Sequence, residues 1–265
     1  MKIEVESLSF GYEKSRRVLD GVSFTVSHKQ VLGILGSSGC GKSTLLRIIC
    51  GIITKQSAKQ SAGFMEGEVR IEAHPDLVRL LSMGAIGLMF QEPSLLPNLT
   101  VEQNIKFPLE IIGARNHPPL VDELIKLVGL EKFREYLPKH LSGGMQTRTA
   151  LARTFATKPE ILLLDEPFSA LDYAWKLDLY EKLNQMIKAF SSTVILVSHD
   201  IREVLLLADR VLLLSKDGMI AREFDVRPEK PKCYRPDLIA TYFDEVKPEI
   251  VLLQNYLLEG HQSSI

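Results

Sequence analysis

The chain has 265 residues, 45% of them hydrophobic and 25% charged, which is enough apolar material for one large domain or two small ones. That composition excludes wholesale disorder and fibrous repeats. Lys and Arg number 32 against 33 Asp and Glu, a net charge of -1, so no overall positive field marks the chain for nucleic acid.

Three cysteines, Cys40, Cys50 and Cys233, have no C-x-x-C spacing. They imply neither a disulfide framework nor a zinc site, and they fit a reducing compartment. Val204 to Ala208 and Val211 to Leu214 are apolar but far shorter than the roughly 18 residues a membrane span needs. The first ten residues alternate charge with apolar side chains, as a strand does, and lack the basic-then-apolar order of a signal peptide. The chain is therefore expected to stay where it is made.

In chain order, alternation predicts strands at Ile3 to Phe10, Val22 to Val26 and Val31 to Leu35, the last running into glycine and serine. A buried helix is predicted from Lys42 to Ile52. Thr54 to Ser61 reads as a polar linker, and Lys55 to Glu66 as a loosely patterned surface insertion open to disorder. Strands are expected again at Glu66 to Glu72 and Ala85 to Phe90. Helical spacing then holds from Val101 to about Thr157, with Pro97, Pro108, Pro118 and Pro119 as breaks and Val121 to Val128 amphipathic. Strands return at Ile161 to Leu164, Thr193 to Val197 and Arg210 to Leu214, alternating with helices at Tyr173 to Phe190 and Ile201 to Leu207. Alternating apolar strands and helices predict a mainly parallel α/β sheet covered on both sides. Beyond Asp225 a Pro-rich stretch (Pro228, Pro231, Pro236) leads to short helices at about Leu238 to Leu258.

Gly36-Ser37-Ser38-Gly39-Cys40-Gly41-Lys42-Ser43 fits G-x-x-x-x-G-K-[ST] between a predicted strand and a predicted helix. Glycines let the backbone curl until successive amides face phosphate oxygens, and the following helix adds the positive end of its dipole. Lys42 would reach the β- and γ-phosphates, and the Ser43 hydroxyl would ligate Mg²⁺. Cys40 reads as a small filler, because no base lies near it in sequence.

Ile161 to Glu166 is an apolar strand ending in two carboxylates. Strand alternation sends Asp165 and Glu166 in different directions unless the strand ends between them. Asp165 is assigned to Mg²⁺ and Glu166 to polarising the attacking water. Val194 to Asp200 repeats the design and delivers His199, readable either as a γ-phosphate contact or as an ordinary neighbour of a helix cap. His28, His74, His117, His140 and His261 show no comparable setting. Leu141-Ser142-Gly143-Gly144-Met145-Gln146 opens a helix, with Ser142 either a plain N-cap or part of a second anion nest.

Taken in order from Tyr12 to about Leu214, these residues resemble the nucleotide-binding subunit of an ABC transporter. Gly36 to Thr44 correspond to Walker A, Leu141 to Gln146 to the family signature, and Ile161 to Pro167 to Walker B. Gln91 after an apolar strand, Ser169-Ala170-Leu171-Asp172 and His199 complete the set. The resemblance implies a P-loop NTPase α/β core, RecA-like with a mainly parallel sheet, carrying an N-terminal antiparallel β subdomain and an inserted α-helical subdomain. It gives an ATPase domain over 1–227 with the helical part at about 92–158, and a linker and helical tail over 228–265. ATP and Mg²⁺ are its implied ligands, held by Gly36, Ser37, Ser38, Gly39, Cys40, Gly41, Lys42, Ser43 and Thr44. Tyr12 would stack on adenine, and Ser43, Gln91 and Asp165 would serve the metal, with Gln91 also sensing the attacking water. Glu166, His199 and Gln91 would be catalytic. Ser142, Gly143, Gly144 and Gln146 would close on the γ-phosphate held by a second subunit, with Asp172 communicating across the interface.

Such a subunit pairs head to tail with a second copy or a paralogue. It docks on transmembrane permease subunits near Gln91 and Glu92 to Leu96, at the inner face of the membrane, and an importer adds an extracytoplasmic substrate-binding protein. Phe90 to Val101 and His199 to Glu203 look most like the nitrate, sulfonate and taurine importer group. Thr147 and Thr149 depart from the usual signature helix at positions that bear on packing. Two alternatives compete. A soluble ABC-type ATPase acting on DNA or ribosomes is disfavoured by the single cassette, the lack of a heptad run and the near-zero charge. A nucleotide-binding regulatory module is disfavoured by the presence of Glu166, Gln91 and His199.

Overall fold

The computed structural model describes residues 1–72, 77–114, 118–169, 171, 173–226 and 234–259. In chain order the first elements are β1 (Ile3–Gly11), β2 (Leu19–Val26), β3 (Val31–Gly36), α1 (Lys42–Ile49), α2 (Lys55–Gln60), β4 (Phe64–Ile71), α3 (Leu77–Ser82) and β5 (Ile86–Met89). Then come α4 (Val101–Ile111), α5 (Pro118–Leu127), α6 (Gly143–Phe155), β6 (Ile161–Asp165) and α7 (Tyr173–Phe190). The last are β7 (Thr193–Ser198), α8 (Ile201–Leu207), β8 (Arg210–Leu214), β9 (Ile220–Asp225), α9 (Pro236–Glu245) and α10 (Lys247–Glu259). The chain forms two compact units, Met1–Leu77 with Thr193–Ile265, and Val78–Ser192.

The first unit holds two sheets. β1 pairs antiparallel with β2 and with β4. The other sheet is mixed: β3 runs parallel to β7 and β8, and β9 closes the edge antiparallel to β8. Every residue of β3 and β7 is buried, as befits central parallel strands covered on both faces by helices. α1 and α8 supply contacts to both strands. At Gly33 the approach of α8 is so close that a Cβ there would sit 2.2 Å from Val204 Cγ1 and 2.9 Å from Ala208 Cβ, so only glycine lets α8 lie this near the sheet.

The predicted polar linker and insertion are instead ordered. α2 starts at a reciprocal capping box, Ser57 N donating to Thr54 Oγ1 at 3.2 Å and Thr54 N to Ser57 Oγ at 2.9 Å. Ala58 is its buried residue, and the segment then enters β4 beside β1.

In the second unit β5 and β6 pair in parallel, α4, α5 and α6 pack on one another, and α6 also contacts β5. Pro108 does not break the chain as predicted but lies inside α4. The helix survives the missing N–H because Val101, Ile105 and Leu109 form a buried stripe and Asn104 braces its start. The Asn104 amide donates to the carbonyls of Leu96, Leu99 and Thr100 at 2.9 to 3.1 Å and accepts from Leu96 N at 2.8 Å. Pro118 opens α5, where proline is tolerated because the first-turn amides have no intrahelical acceptor. β9 and α3 form where the sequence pattern predicts no element. Among the described residues no helix is long and apolar enough to cross a membrane.

Candidate functional site

In the first unit, β3 delivers Gly36 to the loop that leads into α1. A Cβ on Gly36 would lie 2.6 Å from Cys40 Sγ and 2.7 Å from Leu214 O, so the turn closes only without a side chain. Gly41, the residue before the helix, has φ 102 in the left-handed region and caps α1 with no side-chain hydrogen bond. No side chain of Gly41 caps α1, and the loop stands at the positive end of the helix dipole.

Lys42 is only 5% exposed. Its Nζ donates to Gly36 O at 2.8 Å and Ser37 O at 2.9 Å, which folds the ammonium back over the loop it would help to line. Cys40 is buried at 3.9 Å from the same Nζ. Burial holds the Cys40 thiol above its ordinary range, and the nearby Lys42 charge opposes that only in part.

Thr44 Oγ1 lies 3.2 Å from the Tyr12 hydroxyl. Tyr12 stands edge-on against Phe10, ring centroids 4.8 Å apart, and remains 47% exposed. Its side chain is therefore held by two contacts while about half of the residue stays exposed. Ser37, Ser38 and Gly39 line the outer turn of the loop and are half-buried to exposed.

β7 ends at Ser198, whose hydroxyl pairs with Glu203 Oε2 at 2.7 Å and accepts from Asp200 N at 3.0 Å. Asp200 in turn caps α8 by accepting from Arg202 N at 2.9 Å. His199 is exposed between these two fixed neighbours. The cap role that competed for this segment falls to Asp200, which leaves the imidazole outside the helix start.

In the second unit β6 ends at Asp165, which is 4% exposed. The strand does stop between the two carboxylates. Glu166 adopts φ 47, a left-handed conformation that costs a non-glycine residue free energy. Ser169 holds it there, its backbone N and its hydroxyl donating to Glu166 O at 3.3 and 3.1 Å. Glu166 Oε2 accepts from Gln91 Nε2 at 3.3 Å.

Ser142 is the N-cap of α6, its hydroxyl accepting from Met145 N at 3.3 Å. Ser142 and Gly143 are exposed, and a Cβ on Gly143 would meet nothing within 4 Å. Gly144 is half-buried beside them. The Gln146 amide faces inward and donates to Pro138 O at 3.0 Å and Leu141 O at 3.3 Å, holding the turn that precedes the helix. Thr147 and Thr149 are buried and donate to the carbonyls four residues back. Asp172 and Ala170 lie outside the described residues, as do His74, His117 and His261.

Two arginines of α6 were not singled out from sequence. Arg153 donates to Pro93 O and Ser94 O, each at 2.9 Å, which ties the signature helix to the loop that follows Gln91. Burial lowers the pKa of its guanidinium. Arg148 is buried, donates to Val128 O at 2.8 Å and stacks 4.0 Å over the Trp175 ring. Only distant sequence positions are joined by these contacts, so spacing carries no trace of them.

The family described as ABC transporter matches residues 19–169. Over 241 residues, 91% of each chain, the protein is 39% identical to "Aliphatic sulfonates import ATP-binding protein SsuB 1" of Pseudomonas savastanoi pv. phaseolicola. It is 38% identical to "Probable sulfate/thiosulfate import ATP-binding protein CysA" of Chlorella vulgaris, covering 83% of this chain and 90% of that one. Among solved structures, a dimeric post-hydrolysis state of the ATP-binding cassette MJ0796 bound to ADP and Pi superposes with a TM-score of 0.74 at 29% identity. It covers 85% of this chain and 99% of the other. The chain therefore belongs to the ABC transporter family, as its ATP-binding, ATP-hydrolysing cassette subunit.

Proposed function

We propose that the protein binds ATP at the Gly36 to Thr44 loop and hydrolyses it as a head-to-tail dimer to drive import of an aliphatic sulfonate or a similar small anion by separate permease subunits. The observation that carries the nucleotide site is the uncapped start of α1 behind a glycine turn, with Lys42 folded over the loop carbonyls. An anion entering there meets aligned amides and an ammonium that needs only to swing off Gly36 O and Ser37 O.

Tyr12 offers its exposed ring to adenine. Ser43, Asp165 and Gln91 are hard oxygen donors of the kind Mg²⁺ prefers. Because Gln91 Nε2 is engaged by Glu166, the carbonyl oxygen of the same amide is the atom that would meet the metal. Bound Mg²⁺ supplies charge neutralisation at the β- and γ-phosphates. Glu166, aimed by Gln91 and by its left-handed backbone, takes the proton from water as the water oxygen bonds to the γ-phosphorus and the bridging bond to ADP breaks. His199 contacts the γ-phosphate from the β7 tip.

The Ser142, Gly143 and Gly144 turn, exposed at its first two residues, completes the site of a partner cassette, so two copies, or this chain and a paralogue, enclose two ATP molecules. Asp172 carries information across that interface. Residues 1–227 form the ATPase domain with its helical part at about 92–158, and 228–265 form the appended tail. The cassette works at the cytoplasmic face of the membrane through its permease, with an extracytoplasmic binding protein delivering the solute and no nucleic acid involved. The sulfonate assignment follows the relative whose name specifies aliphatic sulfonates. Deleting the gene should abolish growth on ethanesulfonate as sole sulfur source while leaving growth on sulfate intact; unchanged growth on the sulfonate overturns that substrate.

A further inference from the structure

α8 has seven residues, so most of its carbonyls belong to the last turn and lack intrahelical partners. Its buried C-terminal end must find donors elsewhere. Val204 O accepts from Ala208 N at 2.8 Å. The next two carbonyls are served by the C-terminal segment: Tyr242 Oη donates to Leu205 O at 2.8 Å and Tyr234 Oη to Leu206 O at 3.3 Å. Both tyrosines are buried, Tyr242 at 3% and Tyr234 at 6% exposure. One turn earlier Arg202 lies over the Phe243 ring at 5.4 Å, and α10 also contacts α8.

At the opposite end, hydrogen bonds join α8 to the β7 tip. Ser198 Oγ pairs with Glu203 Oε2 and accepts from Asp200 N, and Asp200 accepts from Arg202 N, so hydrogen bonds tie the residues on either side of His199 to the first turn of α8. A two-turn helix cannot nucleate or hold its axis alone; its orientation is set by what grips its ends. The C-terminal segment grips one end and His199 rides on the other.

We infer that Tyr234 and Tyr242 are positioning residues for His199: the C-terminal helices clamp α8 through these two hydroxyls and thereby fix the imidazole at the γ-phosphate. This rests on the role given to His199 under the proposed function. The hydroxyls touch no substrate, so nucleotide affinity should be insensitive to them while turnover is not.

The test is a double-mutant cycle with steady-state ATPase kinetics, run well below the melting temperature of each variant. Tyr234→Phe with Tyr242→Phe should lower kcat by about tenfold or more with KM for ATP unchanged, the size expected when a reacting group is slightly misplaced from afar. In a His199→Ala background the same two changes should lower kcat no further, because residues acting as one unit are non-additive. Equal fold losses in both backgrounds, or no loss in the first, overturn the inference. If the double variant does not fold, Tyr234→Phe, which removes the longer bond, is put through the same cycle and judged by the same outcomes. Wild-type turnover in His199→Ala alone is a separate result: it removes His199 from the mechanism and this inference with it.

Discussion

Gln91 Nε2 donates to Glu166 Oε2 at 3.3 Å, joining residues 75 positions apart. The bond aims a carboxylate whose backbone is already held at φ 47. Replacing Glu166 by Gln keeps the shape and removes the base. Turnover should fall by roughly 10²- to 10⁴-fold, with ATP still bound. Gln91→Ala should cost less, because it loosens the carboxylate without removing it. Single-turnover hydrolysis beside a nucleotide titration separates the two effects, and full turnover in Glu166→Gln removes it as the base.

Lys42 exchanges two loop carbonyls for phosphate oxygens in the proposed complex. Bonds from the ammonium to anionic phosphate oxygens are stronger than the bonds to neutral carbonyls that it gives up. Lys42→Ala should therefore weaken ATP by about tenfold or more, while thermal unfolding shows a folded protein. Unchanged affinity in a fluorescent-nucleotide titration contradicts the site.

The exposed ring of Tyr12 leads to a graded prediction. Tyr12→Ala should forfeit about 1–3 kcal/mol of base stacking. Tyr12→Phe keeps the ring and gives up only the bond to Thr44 Oγ1, so its loss should be the smaller. The same titration ranks them, and equal losses would shift the weight from stacking to the hydroxyl.

Cys40 is buried with its thiol pKa raised, chiefly by desolvation. A raised thiol pKa means less thiolate at neutral pH, and the thiolate is the nucleophile. Iodoacetamide should label Cys40 slowly near pH 7 and faster only as pH rises well into the alkaline range, with ATP slowing it further. Fast labelling at neutral pH, read by mass spectrometry, would show the loop to be open.

Phe155 at the end of α6 is fully buried. Phe155→Ala should destabilise the protein by about 3–5 kcal/mol through lost burial and the cavity left behind, measured by denaturant unfolding. A loss well under 1 kcal/mol would show that the helix end repacks.

Where the sequence pattern was legible, it was because one local signal sufficed. The Gly36 to Ser43 loop sits between β3 and α1 as expected, and α7 and α8 span Tyr173–Phe190 and Ile201–Leu207 as their periodicity implies. α2 escaped notice because Ala58 is its lone buried residue, so a capping box and not an apolar stripe makes it. Pro108 misled for the opposite reason, since α4 is held by tertiary burial that overrides a local breaker. The Arg153 grip on Pro93 and Ser94 and the Tyr242 bond to Leu205 lie beyond periodicity altogether. Chain folding creates these contacts between distant positions.

The most direct test of the account is the mass of the Glu166→Gln chain by light scattering with and without Mg²⁺-ATP. The monomer is 29.8 kDa; ATP should take it to twice that mass, and adding Ser142→Arg should return it to the monomer with one nucleotide still bound. A monomer at saturating ATP, or a dimer of undiminished strength carrying Ser142→Arg, would contradict a site completed by the partner's Ser142 turn.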